Sequence, residues 1–102
     1  MPAWVLSPLA STELEGILEF IAEDSGSNAV AAKVMDDFMA ALNNLAASPG
    51  IGWQREHLTG PGIRWWRVDS YLLVYDPQTK PLRVIRVLHG ARDLARLFRQ
   101  ED

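Results

Sequence analysis

The sequence predicts an α+β fold of order β-α-α-β-β-β-α, in which a helical hairpin packs on a small, mainly antiparallel sheet. Apolar residues recur at helical spacing through residues 10–45, whereas residues 63–89 form three runs rich in aromatic and β-branched residues. Helices and strands are therefore segregated along the chain, as an α+β fold requires. With 102 residues and no repeat or linker, residues 1–102 are expected to form one domain.

A short strand followed by two helices is predicted for the first half. Ala3 to Leu6 is an apolar run, and Ser7 then supplies a helix cap with Pro8 at the first helical position. Small polar residues at 24–27 interrupt the helical pattern, and residues 48–50, Ser-Pro-Gly, end it. The first helix carries acidic residues at positions other than its apolar ones: Glu13, Glu15, Glu19 and Glu23.

The second half begins with a predicted loop over residues 51–62, which contains three glycines and a proline. The strands IRWWRV, YLLVY and LRVIRVLH follow, joined by turns at 69–70 and 76–81. After Gly90 an amphipathic helix is expected to close the chain, and its two sides carry these residues: Leu94, Leu97 and Phe98 on one, and Arg92, Arg96 and Arg99 on the other.

The composition limits the chemistry that the chain can perform. Without cysteine it has neither a disulfide framework nor a thiolate metal site, which fits a reducing cytoplasm. No apolar stretch approaches the roughly 20 residues that span a bilayer, so no membrane association is expected. His57 has no partner at a metal-ligand spacing, and we expect no metal or cofactor.

Charge is distributed unevenly between the halves. Residues 1–50 hold one basic and seven acidic residues, while residues 51–102 hold nine basic and six acidic, giving net charges of −6 and +3. Such polarity suggests that one side of the molecule meets an acidic partner. The overall charge of −3 argues against stand-alone nucleic-acid binding, which normally takes an excess of Lys and Arg.

Several motifs resemble toxins of the RelE/ParE superfamily, and ParE-type toxins in particular. They are SPLASTELEGILEFIAEDS, with its Ser-Pro-x-Ala start, the Pro-x-x-Gly loop within LAASPGIGWQREHL, then GIRWWRV, YLLVY and RVIRVLHGARDLARLF. The segment from Arg86 to Asp93 is the most specific of them, and together the motifs span almost the whole chain. Asp76 departs from the pattern, because family members often have Arg after the preceding Tyr.

This resemblance implies the toxin of a bacterial type II toxin–antitoxin system, neutralised in a hetero-oligomer by a cognate ParD-like antitoxin. ParE-type members poison DNA gyrase and so block replication. RelE-type relatives instead cut mRNA on the ribosome, which is the alternative activity. A relative that binds antitoxin without being toxic is a further alternative.

A ribosome-dependent nuclease would need groups that move protons and stabilise the phosphate transition state. The candidates for such an enzyme are Glu56, Arg64, Arg67 and His89. The chain lacks the strongly basic balance of ribosome-cutting relatives, since its only lysines are Lys33 and Lys80. We therefore favour a non-enzymatic binding poison, in which His89 has a structural role.

The residues expected to bind a partner lie on the strands and just after them: Arg64, Trp65, Trp66, Arg67, Arg83, Arg86, His89 and Arg92. In the last strand, simple alternation predicts one face with Leu82, Val84, Arg86 and Leu88, and another with Arg83, Ile85, Val87 and His89. Both faces are partly apolar. One is expected to lie under the helices, and the other to stay exposed unless an antitoxin segment covers it.

Overall fold

The computed structural model describes residues 2–90, 92–94 and 96, and it confirms the α+β prediction. In chain order the elements are β1 (Trp4–Leu6), α1 (Pro8–Ser25), α2 (Asn28–Ala47), a 3-10 helix (Pro49–Ile51), β2 (Trp53–Gln54), α3 (Glu56–Thr59), β3 (Arg64–Val68), β4 (Tyr71–Asp76) and β5 (Leu82–His89). The sheet order is β1-β5-β4-β3-β2, in which β1 runs parallel to β5 and the other neighbours are antiparallel.

The C-terminal helix predicted after Gly90 is described only in part. Gly90, residues 92–94 and Arg96 have helical backbone. Leu97, Phe98 and Arg99 lie outside the described residues.

Ser7 fixes the start of α1 against the sheet. Its hydroxyl accepts a hydrogen bond from the Ala10 N–H at 3.0 Å and donates to the Ile85 carbonyl at 2.7 Å. The Ser7 N–H also donates to the Val84 carbonyl at 2.9 Å. The predicted cap is thus confirmed, and the same residue ties α1 to β5.

Both faces of the sheet are covered by the chain itself. The helices cover one face over a core that consists of Ala10, Leu14, Phe38, Leu42, Leu45, Val68, Tyr71, Leu73, Tyr75, Leu82, Val84 and Val87. On the far face a second core is formed by Trp65, Leu72, Val74 and Leu88, against which Trp53, Leu58, Ile63 and Leu94 pack. The expectation that this far face stays exposed without an antitoxin is therefore wrong, because residues after the second helix and after the last strand fold over it.

A bulge interrupts β5 and reverses its alternation. Tyr75 pairs with Val84, whereas the preceding Val74 pairs with Arg86, so Ile85 has no opposite residue. Val84 and Val87 consequently belong to the same core under the helices. The predicted grouping of residues 82–89 by simple alternation is wrong beyond this point.

The predicted loop over residues 51–62 contains β2 and the four-residue α3. The Tyr75 hydroxyl secures its start by donating to the Pro49 carbonyl at 2.6 Å and accepting from the Gly52 N–H at 3.0 Å. Burial raises the pKa of this hydroxyl above 10.0, so it stays protonated in the folded chain at neutral pH. None of the helices among the described residues is long and apolar enough to cross a membrane.

Candidate functional site

A groove of about 580 Å³ separates α1 from the edge of β5 that β1 leaves uncovered. We call it the α1–β5 groove. The residues that line it are Glu13, Gly16, Ile17, Phe20, Tyr71, Arg86, Val87, Leu88, His89, Arg92, Asp93 and Arg96. Its volume falls in the range of ordinary ligand and peptide pockets.

Two carboxylates occupy the open edge of β5. The Val87 N–H donates to Glu13 Oε1 at 3.0 Å, and the His89 N–H donates to Asp93 Oδ2 at 2.6 Å. Unpaired N–H groups at the edge of a sheet can form hydrogen bonds with an added strand. The acidic side chains thus take positions that the carbonyl groups of an added strand would take.

Glu13 also forms an ion pair with Arg86. The guanidinium Nη2 lies 2.8 Å from Oε2, and Nε lies 3.1 and 3.2 Å from the two carboxylate oxygens. Hydrogen bonding to Glu13 raises the pKa of Arg86, which remains cationic at all relevant pH values. Part of the positive charge expected on β5 is therefore balanced by Glu13.

The outer wall of the groove combines an apolar side chain with basic ones. Phe20 is 63% exposed, the most exposed large apolar residue of the described chain. Arg92 and Arg96 are exposed as well, and both approach Asp93, at 3.4 and 3.9 Å. A single carboxylate faces two guanidinium groups here, so this wall carries an excess of positive charge.

The four nuclease candidates do not meet at one site. Arg67 and His89 line a cleft on the far side of the sheet, but neither Glu56 nor Arg64 is among its lining residues. Glu56 is exposed at the start of α3, and Arg64 donates from Nη1 to the Gly52 carbonyl. As side-chain alternation predicts, Arg64 and Arg67 point to opposite faces of β3.

The residues expected to bind a partner are dispersed. Trp65 is 0% exposed and belongs to the far-face core, so the expectation that it contacts a partner directly is wrong. Its indole N–H donates to Thr59 at 3.1 Å, which satisfies the buried polar atom. Trp66 is half-buried and packs on the core under the helices, and Arg83 is exposed on β5.

Of that set, Arg86, His89 and Arg92 reach the α1–β5 groove. Glu13 and Phe20 also line the groove, although neither is among the site residues that the sequence predicts. In the sequence Glu13 is one of four glutamates on the first helix, and its role depends on a strand residue 73 positions away. Phe20 did carry a signal, because it is a large aromatic residue outside the apolar stripe of that helix.

Among residues 2–90, 92–94 and 96, no group of three or more His, Cys, Asp or Glu side chains is arranged to hold a metal ion.

The fold is similar to that of a solved structure. A solved structure described as the chromosomal ParDE TA (toxin–antitoxin) system from P. aeruginosa is similar with a TM-score of 0.70 and 17% sequence identity, covering 85% of this chain and 94% of the other. At that identity the likeness concerns the fold. Comparison with curated protein sequences gave no match.

The family model of the ParE toxin of the type II toxin–antitoxin system, parDE, matches residues 5–94. The match begins within β1, covers every later described strand and helix as far as Leu94, and confirms the resemblance inferred from the motifs. The chain belongs to the ParE toxin family of type II toxin–antitoxin systems.

Proposed function

We propose that this chain is a toxin that binds DNA gyrase, stabilises the complex in which gyrase has cleaved its DNA, and is held inactive by a ParD-like antitoxin. Membership of the ParE toxin family supports the proposal, and ParE toxins are generally not enzymes. Gyrase acts on chromosomal DNA, so the proposal implies a location in the bacterial cytoplasm.

The observation that carries the non-enzymatic proposal is the separation of the nuclease candidates. Proton transfer to and from a reacting phosphodiester needs an acid and a base within hydrogen-bond reach of the same substrate. Arg67 and His89 share a cleft, but Glu56 and Arg64 are elsewhere. A poison that acts by binding requires no such convergence.

The test is gyrase supercoiling in the presence of the purified chain, with linear DNA scored after protein digestion. We expect supercoiling to fall and linear DNA to accumulate with increasing chain, and the cognate antitoxin to reverse both effects. Gyrase without the chain is the control. Unchanged gyrase activity together with cut ribosome-bound mRNA would establish the nuclease alternative, and antitoxin binding without either effect would establish a non-toxic relative.

We infer further that the antitoxin docks in the α1–β5 groove through a segment that is both apolar and acidic. Phe20 and Ile17 offer apolar surface there, and Arg92 and Arg96 carry more positive charge than Asp93 balances. Charge-assisted hydrogen bonds shielded by apolar contacts are among the stronger ones available to an interface. Charge complementarity thus favours an acidic partner.

A further inference from the structure

A second cleft, of about 490 Å³, opens on the far side of the sheet where β3 and β5 end and β4 begins. We call it the Arg55 cleft. The residues that line it are Trp53, Arg55, Arg67, Ser70, Tyr71, Leu72, His89, Gly90 and Leu94. It borders the α1–β5 groove at Tyr71 and His89, while its other lining residues are different.

The charge in the Arg55 cleft is positive and locally uncompensated. Arg55 and Arg67 line it, and none of its lining residues is acidic. Within the described part of the chain, neither arginine forms an ion pair with a carboxylate. The carboxylate nearest in sequence to His89, that of Asp93, is engaged with the His89 backbone and with Arg92.

Arg55 is positioned by aromatic rings in place of a counter-ion. Its guanidinium carbon lies 5.5 Å from the centroid of the Trp65 ring and 5.8 Å from that of Trp53. Such cation–π contacts hold the guanidinium in place without neutralising its charge. The cleft therefore presents a fixed cation beside an indole.

Two polar atoms on the cleft residues are buried and have no hydrogen-bond partner. They are Nε of Arg55 and Nδ1 of His89. A buried polar atom without a partner costs free energy, and natural folds hold few of them. An anion that enters the cleft and draws these side chains toward it would accept a hydrogen bond from Nε of Arg55, and from Nδ1 of His89 when that nitrogen carries the proton.

The backbone around the cleft is also fixed. The Gly90 N–H donates to the Ser70 carbonyl at 2.9 Å, which joins the end of β5 to the turn between β3 and β4. A Cβ at position 90 would lie only 2.9 Å from that same carbonyl oxygen, so glycine is required for this close approach. Arg67 is held by the hydrogen bond from its Nε to the Asp69 carbonyl at 2.8 Å.

We propose that the Arg55 cleft binds a nucleotide, with its phosphate group between Arg55, Arg67 and His89 and its base against the apolar wall of Trp53, Leu72 and Leu94. Planar guanidinium groups match the geometry of phosphate oxygens. The cleft is far larger than an inorganic phosphate ion, and four of its nine lining residues carry large aromatic or aliphatic side chains: Trp53, Tyr71, Leu72 and Leu94. The cleft thus has a basic part and an apolar part, and a ligand with one anionic end and one flat apolar end fits both.

The test follows the amide and indole N–H signals of the purified full chain by NMR during titration with adenosine 5′-monophosphate. Adenosine and inorganic phosphate are titrated separately. We expect saturable shifts at the Gly90 amide and the Trp53 indole with the nucleotide, and affinities weaker by roughly tenfold or more for either part alone.

Substitutions of single arginines show whether nucleotide binding depends on the Arg55 cleft or only on the positive charge of the surface. Arg67→Gln removes an exposed cation of the cleft, and we expect it to weaken nucleotide binding roughly tenfold. Arg83→Gln removes an exposed cation of β5 outside the cleft, and we expect affinity within about twofold of the parent chain. Arg55→Gln, used if its thermal unfolding shows a folded chain, is expected to be at least as damaging as Arg67→Gln.

Three outcomes would overturn the proposal. One is the absence of a saturable shift at Gly90 and Trp53 up to about 10 mM nucleotide, a limit that excludes even weak binding. Another is equal loss of affinity in Arg67→Gln and Arg83→Gln, which would indicate diffuse charge. The third is saturation of the cleft by an acidic peptide in the absence of any response to the nucleotide.

Discussion

Glu13 on α1 and Arg86 on β5 are joined by an ion pair in which Nη2 lies 2.8 Å from Oε2. The same carboxylate accepts the Val87 N–H at 3.0 Å. One side chain of the acidic first half thus neutralises an arginine of the basic second half and closes the open edge of β5. The opposite net charges of the two halves therefore stabilise the fold in part, through an ion pair within the chain.

Glu13→Ala is expected to lower the free energy of unfolding by about 1–2 kcal/mol, because it leaves the Arg86 guanidinium and the Val87 N–H without their partner. Glu15→Ala on the same helix is the control, since Glu15 is exposed, and its effect is expected to stay within about 0.5 kcal/mol. Urea denaturation of the variants measures the difference. Equal losses in the two would show that the ion pair contributes nothing to stability.

Gly52→Ala is expected to destabilise the fold by about 1–3 kcal/mol, because a methyl group there meets fixed atoms. A Cβ at this position would lie 2.8 Å from the Trp65 carbonyl oxygen and closer still to the Tyr75 hydroxyl. Gly50→Ala is the matched control, since a Cβ at Gly50 has no neighbour within 4 Å. Thermal unfolding compares them, and a wild-type midpoint in Gly52→Ala would refute the close approach.

Asp69→Asn is expected to stabilise the chain at neutral pH. Asp69 has φ 54°, a left-handed conformation that Asn adopts more readily than most residues. The neighbouring carboxyl group of Asp37 raises the pKa of Asp69 above its usual 3.8, because the two groups can share a hydrogen bond only when one of them is protonated. A carboxyl whose pKa is raised by folding favours the fold when protonated, and that contribution is lost as the pH rises through the folded-state pKa.

The gain from Asp69→Asn is therefore expected to appear at about pH 7 and to shrink toward about pH 3, where Asp69 of the parent chain is protonated. For an exposed pair we expect about 0.2–1 kcal/mol at neutral pH, or roughly 1–5 °C in the unfolding midpoint. Asp36→Asn, an exposed substitution on α2, is the control. A gain that does not change with pH would assign the effect to backbone conformation alone.

The order of the major elements could be predicted because each is specified locally. Ser7 and Pro8 mark the start of α1, and apolar spacing marks the hairpin. The bulge at Ile85 could not be predicted, because it arises from how β5 pairs with β4 and leaves no local trace in an apolar run. It is this bulge that places Val87 under the helices.

The candidate site was less predictable than the fold. Arginines clustered in the second half indicated a charged surface, and Arg86 and Arg92 do line the α1–β5 groove. Whether a given arginine is available to a partner depends on contacts far away in sequence, as Glu13 shows for Arg86. That Leu58 and Leu94 cover the far face could not be predicted for the same reason, since both come from segments outside β3, β4 and β5.

Phe20 provides the sharpest test of the α1–β5 groove as the antitoxin site. It is 63% exposed and lines the groove, so Phe20→Ser is expected to leave the unfolding midpoint nearly unchanged. If an apolar segment of the antitoxin packs on it, the substitution is expected to weaken antitoxin binding by roughly 10- to 100-fold, as loss of an aromatic anchor does at interfaces. Calorimetric titration with the intact antitoxin measures this.

The control for Phe20→Ser is Val30→Ser, because Val30 is an exposed apolar residue, at 44%, on the other helix of the hairpin and does not line the groove. Its antitoxin affinity is expected to stay within about threefold of the parent chain. The comparison separates docking in the groove from general contact with the helical hairpin. Strong loss in Val30→Ser with an unaffected Phe20→Ser would move the antitoxin site to α2, and the excess of positive charge around Asp93 would then need another partner.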